Sequence, residues 1–228
     1  MLYTEEAVRA GLRVRDGRRV FYLPEGSRLT PAARDWLRQE GVTVVPHAET
    51  PPAAYRTPDG AAFAEKPEHM THLRGNILVP KTHPRIAFRG GIDTLEAELL
   101  LCAQAADGPL RRTLCAMLDF VRSLIRADVL DEPVQTVRFL GLDDDGLREH
   151  SHHPEREEGQ PHFLPAPDDP PILLRLNRLR TVVRQTELLA CHAFSRPDGT
   201  LARPDLVKAL NRLSSLCWIL MIREKKNA

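Results

Sequence analysis

Aromatic side chains are scarce in this chain, at 5% of 228 residues. It therefore offers neither a base-stacking platform for single-stranded nucleic acid nor the aromatic run of a β-sandwich. No sign of charge dominates either: 32 Lys and Arg stand against 31 Asp and Glu, a formal net charge of +1. That balance excludes a basic stripe for nucleic acid or for an anionic membrane. The longest strongly apolar run, Leu216–Ile222, falls far short of the roughly 20 residues that cross a bilayer, and reads as core. The four cysteines (Cys102, Cys115, Cys191, Cys217) form no CxxC pair. They read as buried thiols of a reducing compartment. The opening MLYTEEAVRAG carries early acidic residues and no apolar segment, unlike a secretory signal, so the chain is expected to be cytoplasmic. These exclusions leave a small molecule or a protein as the partner.

What is present is helical periodicity punctuated by proline. Residues 1–46 read as a small α/β appendage: Arg19–Pro24 (RVFYLP) and Val42–Pro46 (VTVVP) have strand composition. Between them Thr30-Pro31 starts a short helix, and Gly41 stands where its C-terminal cap belongs. Residues 47–67 are rich in Pro and Ala and show no apolar period, the pattern of a linker. From residue 68 to 228 helices are expected from Pro84, from Pro109 to Val129, from Pro171 to Phe194 and from Pro204 to about Arg223, each opened by proline at a first-turn position. A shorter helix fits within 133–150. The fold class is thus mainly α: an up-and-down bundle of four to five helices carrying a small N-terminal α/β appendage.

Charges on the helix from Pro171 carry the functional signal. Arg180, Arg184 and Glu187 fall at i, i+4 and i+7, on the side shared with Leu173, Leu176, Val183, Cys191 and Phe194. Charges on an apolar stripe must pair or hold a ligand, because an unpaired buried charge costs several kcal/mol. The planar fork of arginine suits phosphate oxygens; an interhelical ion-pair network explains the same pattern. Asp93 shares a helix face with Ile86, Gly90, Ala97 and Leu100 and needs a cationic partner, for which the arginines of the Pro171 helix are the candidates. The adjacent Gly90-Gly91 pair implies a close backbone approach. Asn211 falls with Val207, Ser214, Trp218 and Ile222, where a buried amide would meet a nucleotide or another helix. His150, His152, His153 and His162 lie in a polar segment without the paired spacing of a zinc site. They read as a solvent-exposed loop.

Taken together, KPEHMTHLRGNILVPKTHPRIAFRGGID, RADVLDEP, LRTVVRQTE and RPDLVKALNRLSS, in that order, resemble the ethanolamine-utilization cobalamin adenosyltransferases. The N-terminal LTPAARDWLRQEGV extends the likeness. More distantly they resemble the propanediol-utilization type, helical bundles that oligomerise with active sites between subunits. The resemblance implies ATP-phosphate contacts from Lys81 and Arg184, a structural salt bridge between Asp93 and Arg180, and a nucleotide contact from Asn211, with Glu187 on the same arginine helix. The loop HFLP (His162–Pro165) resembles the aromatic-x-leucine-proline loop that approaches the lower face of the corrin ring, so that Phe163 or His162 would exclude a lower cobalt ligand. A glycine-rich phosphate loop is replaced here by MTHLRGN, in which Thr71, Arg74, Gly75 and Asn76 still offer donors to phosphate. The stretch matching a metal-binding His and CCxxC segment contains no cysteine, so no structural metal is expected.

The implied reaction moves the 5′-deoxyadenosyl group of ATP to the cobalt of cob(I)alamin and releases triphosphate, with Mg²⁺ accompanying ATP. No side chain need serve as nucleophile. Implied partners are ATP, the corrinoid, further copies of the chain (a trimer favoured), a cob(II)alamin reductase and microcompartment components. The rival readings are a corrinoid or nucleotide carrier without catalysis and a helical scaffold protein.

Overall fold

The computed structural model describes residues 1–15, 18–47 and 54–227. These divide into two compact units. Met1–Glu68 with Asn76–Leu78 form the first, and His69–Gly75 with the chain from Val79 onward the second.

In the first unit the elements run β1 (Leu2–Tyr3), α1 (Glu5–Ala10), β2 (Arg13–Arg15), β3 (Arg18–Pro24), β4 (Arg28–Leu29), α2 (Pro31–Gln39), β5 (Thr43–His47), β6 (Tyr55–Arg56) and β7 (Ala62–Phe63). Thr30 caps α2, its hydroxyl accepting from Ala33 N at 3.2 Å, with Pro31 following. Gly41 takes φ +63, the left-handed value that glycine adopts at least cost after a helix. The α2 connection lays β5 parallel to β3, pairing Val20 with Thr43 and Tyr22 with Val45. Val8, Phe21, Ala33, Leu37 and Val42 bury a small core, with Tyr3 edge-on to Phe21 at 5.6 Å. Within the segment read as a linker, β6 pairs antiparallel with β7, and Arg56 pairs with Ile77 of β9 (Ile77–Pro80). Short pairings of this kind leave no apolar period to read. Residues 48–53 of that segment lie outside the described residues.

The second unit contains β8 (Met70–Arg74), the end of β9, and the helices α3 (Pro84–Gln104), α4 (Gly108–Leu130), α5 (Asp144–His152), α6 (Pro154–Glu158), α7 (Pro171–Phe194) and α8 (Pro204–Asn227). The four long helices are the ones their opening prolines mark. α3 packs between α4 and α7, and α7 between α3 and α8. The α3–α7 pair is antiparallel: Phe88 meets Phe194 edge-on at 5.4 Å at one end, while at the other the Cys102 thiol lies 3.5 Å from the carbonyl of Arg175. Between these points the helices close on Gly91, where a Cβ would fall 2.7 Å from Leu189 Cδ1. Gly90 faces open space. The close approach expected at the glycine pair therefore belongs to Gly91, which the hydroxyl of buried Thr186 also marks by bonding to its carbonyl at 3.2 Å.

Two expectations about burial are corrected here. Cys115 is exposed and Cys191 only half-buried, while Cys102 and Cys217 are buried. Burial pushes the Cys102 thiol up to about 11. Cys115 sits beside, not on, the inward row Leu114, Met117, Val121 and Leu124 of α4. Of the four histidines expected in an exposed loop, only His162 lies in one: His150 and His152 are on α5 and His153 caps it, and of these His152 and His153 are exposed and His150 is half-buried. His150 Nδ1 lies 2.8 Å from the half-buried Glu158, which also receives two bonds of 2.9 Å from Arg223. These bonds tie α5 and α6 to α8.

Candidate active site

A cleft with a cavity volume of about 380 Å³ opens in the helical unit between the end of α5, the loop His162–Pro165, α7 and α8. Of the residues singled out by sequence, Phe163, Arg180, Arg184 and Asn211 line it, together with His162 and Trp218. Glu187 joins the group through Asn211, whose Nδ2 donates to Glu187 Oε1 at 3.0 Å. Asn211 Oδ1 in turn accepts from Arg212 at 2.7 Å. This fixes which way the amide faces. Asn211 is exposed rather than buried, because α8 buries Leu210, Leu213, Cys217 and Ile219 to one side of it.

The charged row of α7 needs a similar correction. The inward row is Leu176, Leu179, Val183, Thr186 and Ala190. Arg180, Arg184 and Glu187 each follow one of those residues, and one residue is about 100° of helix. They consequently flank the core instead of lying in it, with Arg184 exposed and Arg180 half-buried. Neither arginine meets a carboxylate among the described residues. Arg180 Nε is buried without a hydrogen-bond partner, and its guanidinium carbon lies 5.3 Å from the centre of the Trp218 ring. Burial first, and Arg184 nearby second, hold the Arg180 pKa below the ordinary arginine value. Donors without a carboxylate among the described residues, at an open cleft, are suited to an anionic ligand.

Asp93, expected on an apolar face, is exposed on α3, whose buried residues are Phe88, Ile92, Leu95 and Leu99. It has no hydrogen bond or ion pair among the described residues, and within one chain it does not pair with Arg180. The spacing that groups Asp93 with Gly90 and Ala97 is real, but it describes the helix's outward side.

The floor of the cleft is aromatic. Phe163 stacks on Trp218 at 5.1 Å between ring centres and 21° between planes, and His162 stacks on it at 5.8 Å and 16°. The loop is pinned from below: Asp169 is buried, accepts from Ala166 N at 2.7 Å and binds Lys225 of α8. Leu164 projects from it at 91% exposure. Trp218 was placed by sequence only on the face of Asn211, with no role given to it.

Thr71, Arg74, Gly75 and Lys81 lie elsewhere in the same unit, and none of them lines the cleft. Thr71 and Arg74 are on β8, and Lys81 follows β9, its N–H donating to the carbonyl of His69 at 2.9 Å. This region is held by a carboxylate that sequence reading did not single out. Asp128 of α4 is fully buried and takes Arg85 at 2.6 Å on one oxygen and Arg89 at 2.7 Å on the other. Arg89 also donates to the carbonyl of Leu73 at 2.8 Å. His83 caps α3, accepting from Arg85 N at 3.1 Å; burial, ahead of Arg85 and Arg89, lowers its pKa. Among the described residues no cluster of three His, Cys, Asp or Glu side chains could hold a metal ion.

A family model for cobalamin adenosyltransferase matches residues 62–224, which include the hairpin formed by the neighbouring strands β8 and β9, the helices α3, α4 and α7, nearly all of α8, and the cleft. The chain belongs to this family. It is 30% identical over 242 residues to the corrinoid adenosyltransferase EutT of Salmonella typhimurium, covering 96% of this chain and 90% of that protein. To EutT of Escherichia coli K12 it is 31% identical over 243 residues, with the same coverage. Among solved structures it is similar to a variant PduO-type ATP:corrinoid adenosyltransferase from Lactobacillus reuteri complexed with cobalamin and ATP. There the TM-score is 0.54 at 16% identity, covering 70% of this chain and 89% of that one. A second variant of that protein, complexed with ATP, gives 0.54 at 15% identity over 68% and 89%. At these identities the structures attest the shared fold of the family.

Proposed function

We propose that this chain transfers the 5′-deoxyadenosyl group of ATP to the cobalt of cob(I)alamin, forming a cobalt–carbon bond and releasing triphosphate. The observation that carries this reading is the composition of the cleft: two arginines that meet no carboxylate among the described residues, beside a wall of stacked rings. The first suits a polyphosphate and the second the flat face of a corrin. In the reaction the cobalt electron pair forms the new bond to C5′, and the C5′–O bond breaks toward the triphosphate. The protein has to align the two and hold the leaving charge, for which orientation and cationic hydrogen bonds are large terms. Arg184 and Lys81 bind phosphate, with Mg²⁺ accompanying the nucleotide. Asn211, oriented by Glu187, contacts the nucleoside, and Thr71, Arg74 and Gly75 supply further donors from the hairpin.

Because the hairpin residues do not line the cleft, we assign the complete site to two copies of the chain, the hairpin of one against the cleft of the next, in a homo-oligomer for which a trimer is favoured. Asp93 and Arg180, neither of which has an ion-pair partner among the described residues, then become the two ends of an intersubunit salt bridge. The ethanolamine-type motifs support ethanolamine degradation as the setting, with a cob(II)alamin reductase and microcompartment components as partners.

Anaerobic incubation with ATP, Mg²⁺ and chemically reduced cobalamin tests the reading through the visible spectrum of adenosylcobalamin. Wild-type protein is expected to form product, and Arg184→Ala to slow it about 30- to 1,000-fold, as for one charge-assisted contact of ~2–4 kcal/mol. Cobalamin binding without product would instead identify a carrier.

A further inference from the structure

His162 poses a chemical problem for a cleft that receives a corrin. An imidazole with a free lone pair is a strong ligand for cobalt, and ligation from below would oppose the four-coordinate state that eases reduction of Co(II). The structure disposes of that lone pair. The indole Nε1–H of Trp218 points to His162 Nδ1 at 3.2 Å. Indole nitrogen is only ever a donor, so Nδ1 must be the acceptor and the ring proton must sit on Nε2. His162 Nε2 lies 3.4 Å from the carbonyl oxygen of His152, which accepts that proton's hydrogen bond. Both ring nitrogens are thereby engaged, and the near-parallel stack on Trp218, 16° between planes, presents the ring as a flat apolar-like wall. Trp218 is itself held in place by Phe163 on its ring at 5.1 Å and by the Arg180 guanidinium at 5.3 Å.

We infer that Trp218 is a positioning residue whose indole N–H occupies the only lone pair of His162, so that this histidine bounds the corrin's lower side without ligating cobalt. The inference rests on the corrinoid reading of the cleft and concerns its selectivity for an unligated metal. It also assigns the two members of the HF pair different parts: Phe163 braces Trp218 from its half-buried position, and His162 faces the cleft.

The test uses cob(II)inamide, which carries no lower base of its own, bound to the full-length protein with ATP and read by electron paramagnetic resonance. Any nitrogen splitting then comes from the protein. Wild type is expected to show none. Trp218→Phe keeps a stacking ring but removes the N–H, and is expected to introduce the triplet splitting of a single nitrogen and to slow reduction of the bound cobalt. Adding His162→Phe to Trp218→Phe should abolish the triplet. Long-range ¹⁵N–¹H correlation on the protein without corrinoid gives a second readout: His162 should be the Nε2–H tautomer in wild type and lose that preference in Trp218→Phe. A wild-type spectrum with nitrogen splitting, or a Trp218→Phe complex without it, would overturn the inference. Failure of the wild type to bind cob(II)inamide at all is a different result, and would remove the corrinoid reading together with this one.

Discussion

The cleft and the β8–β9 hairpin region use arginine in opposite ways. Beside the hairpin, Arg85 and Arg89 of α3 spend their charge on one buried carboxylate, Asp128, and donate as well to the backbone carbonyls of Asp128, His72 and Leu73. At the cleft, Arg180 and Arg184 meet no carboxylate among the described residues, and Arg180 lies only over the Trp218 ring. The difference teaches how to read a charged helix. An arginine whose fork is saturated by its own chain is building a shape, whereas one left open at a cavity is waiting for something from outside. The hairpin is thus a rigid support for donors such as Lys81, and the cleft is a receptor that lacks part of its complement until another molecule supplies it.

The strongest way to break this comparison is to inactivate each region in a different copy. Lys81→Ala and Arg184→Ala proteins, each nearly inactive alone, are expected to regain about a quarter of wild-type turnover when refolded together, because random mixing leaves that share of sites with both halves intact. No recovery would place both halves in one chain. Next in size is Asp128→Ala. Removing one partner from a buried pair leaves uncompensated charge, so it should cost about 3–5 kcal/mol in urea unfolding, while Arg184→Ala should shift stability by less than about 0.5 kcal/mol. Equal losses from the two would erase the distinction between saturated and open arginines.

The glycine pair sharpens it further. Gly91→Ala drives a methyl into Leu189 and is expected to destabilise the protomer by about 1–3 kcal/mol. Gly90→Ala meets nothing within the chain, so the gain of about 1 kcal/mol in helix propensity should survive in the monomer. If the face of Asp93 is where copies meet, analytical ultracentrifugation should show Gly90→Ala weakening assembly even so. The smallest expected effect concerns pH. The bond from Arg203 holds Asp205 below the usual carboxylate range, ahead of the opposing effect of partial burial. A carboxylate lowered in the folded state contributes stability above its unfolded value of about 4, and that contribution is lost as pH falls through the folded value. Wild type should therefore lose more stability than Asp205→Asn between pH 5 and about pH 2 in thermal melts.

Much of the scaffold was legible because its signals are local. Proline at a first helical turn, the Thr30 cap and the Gly41 terminator act through bonds within a few residues, so α2, α3, α7 and α8 begin where the sequence says they should. That Arg180, Arg184 and Glu187 share one row was likewise legible, since i, i+4 and i+7 spacing puts side chains together whatever surrounds the helix. Which way that row faces was not. A helix has no intrinsic inside, and a shift of one residue carries Asp93 or Asn211 from core to solvent once neighbouring helices dock.

The sequence by itself therefore determined the helices, their order and the residues that travel together, because hydrogen-bond caps and helical periodicity are properties of short segments. Only the tertiary structure decided that Asp128 binds two arginines 39 and 43 residues away, that Trp218 meets His162 across 56, and that Arg180 meets no acid among the described residues of its own chain. Those outcomes depend on which surfaces four long helices bury against one another. Long-range charge pairing is decided by that packing, through the cost of leaving a buried charge alone.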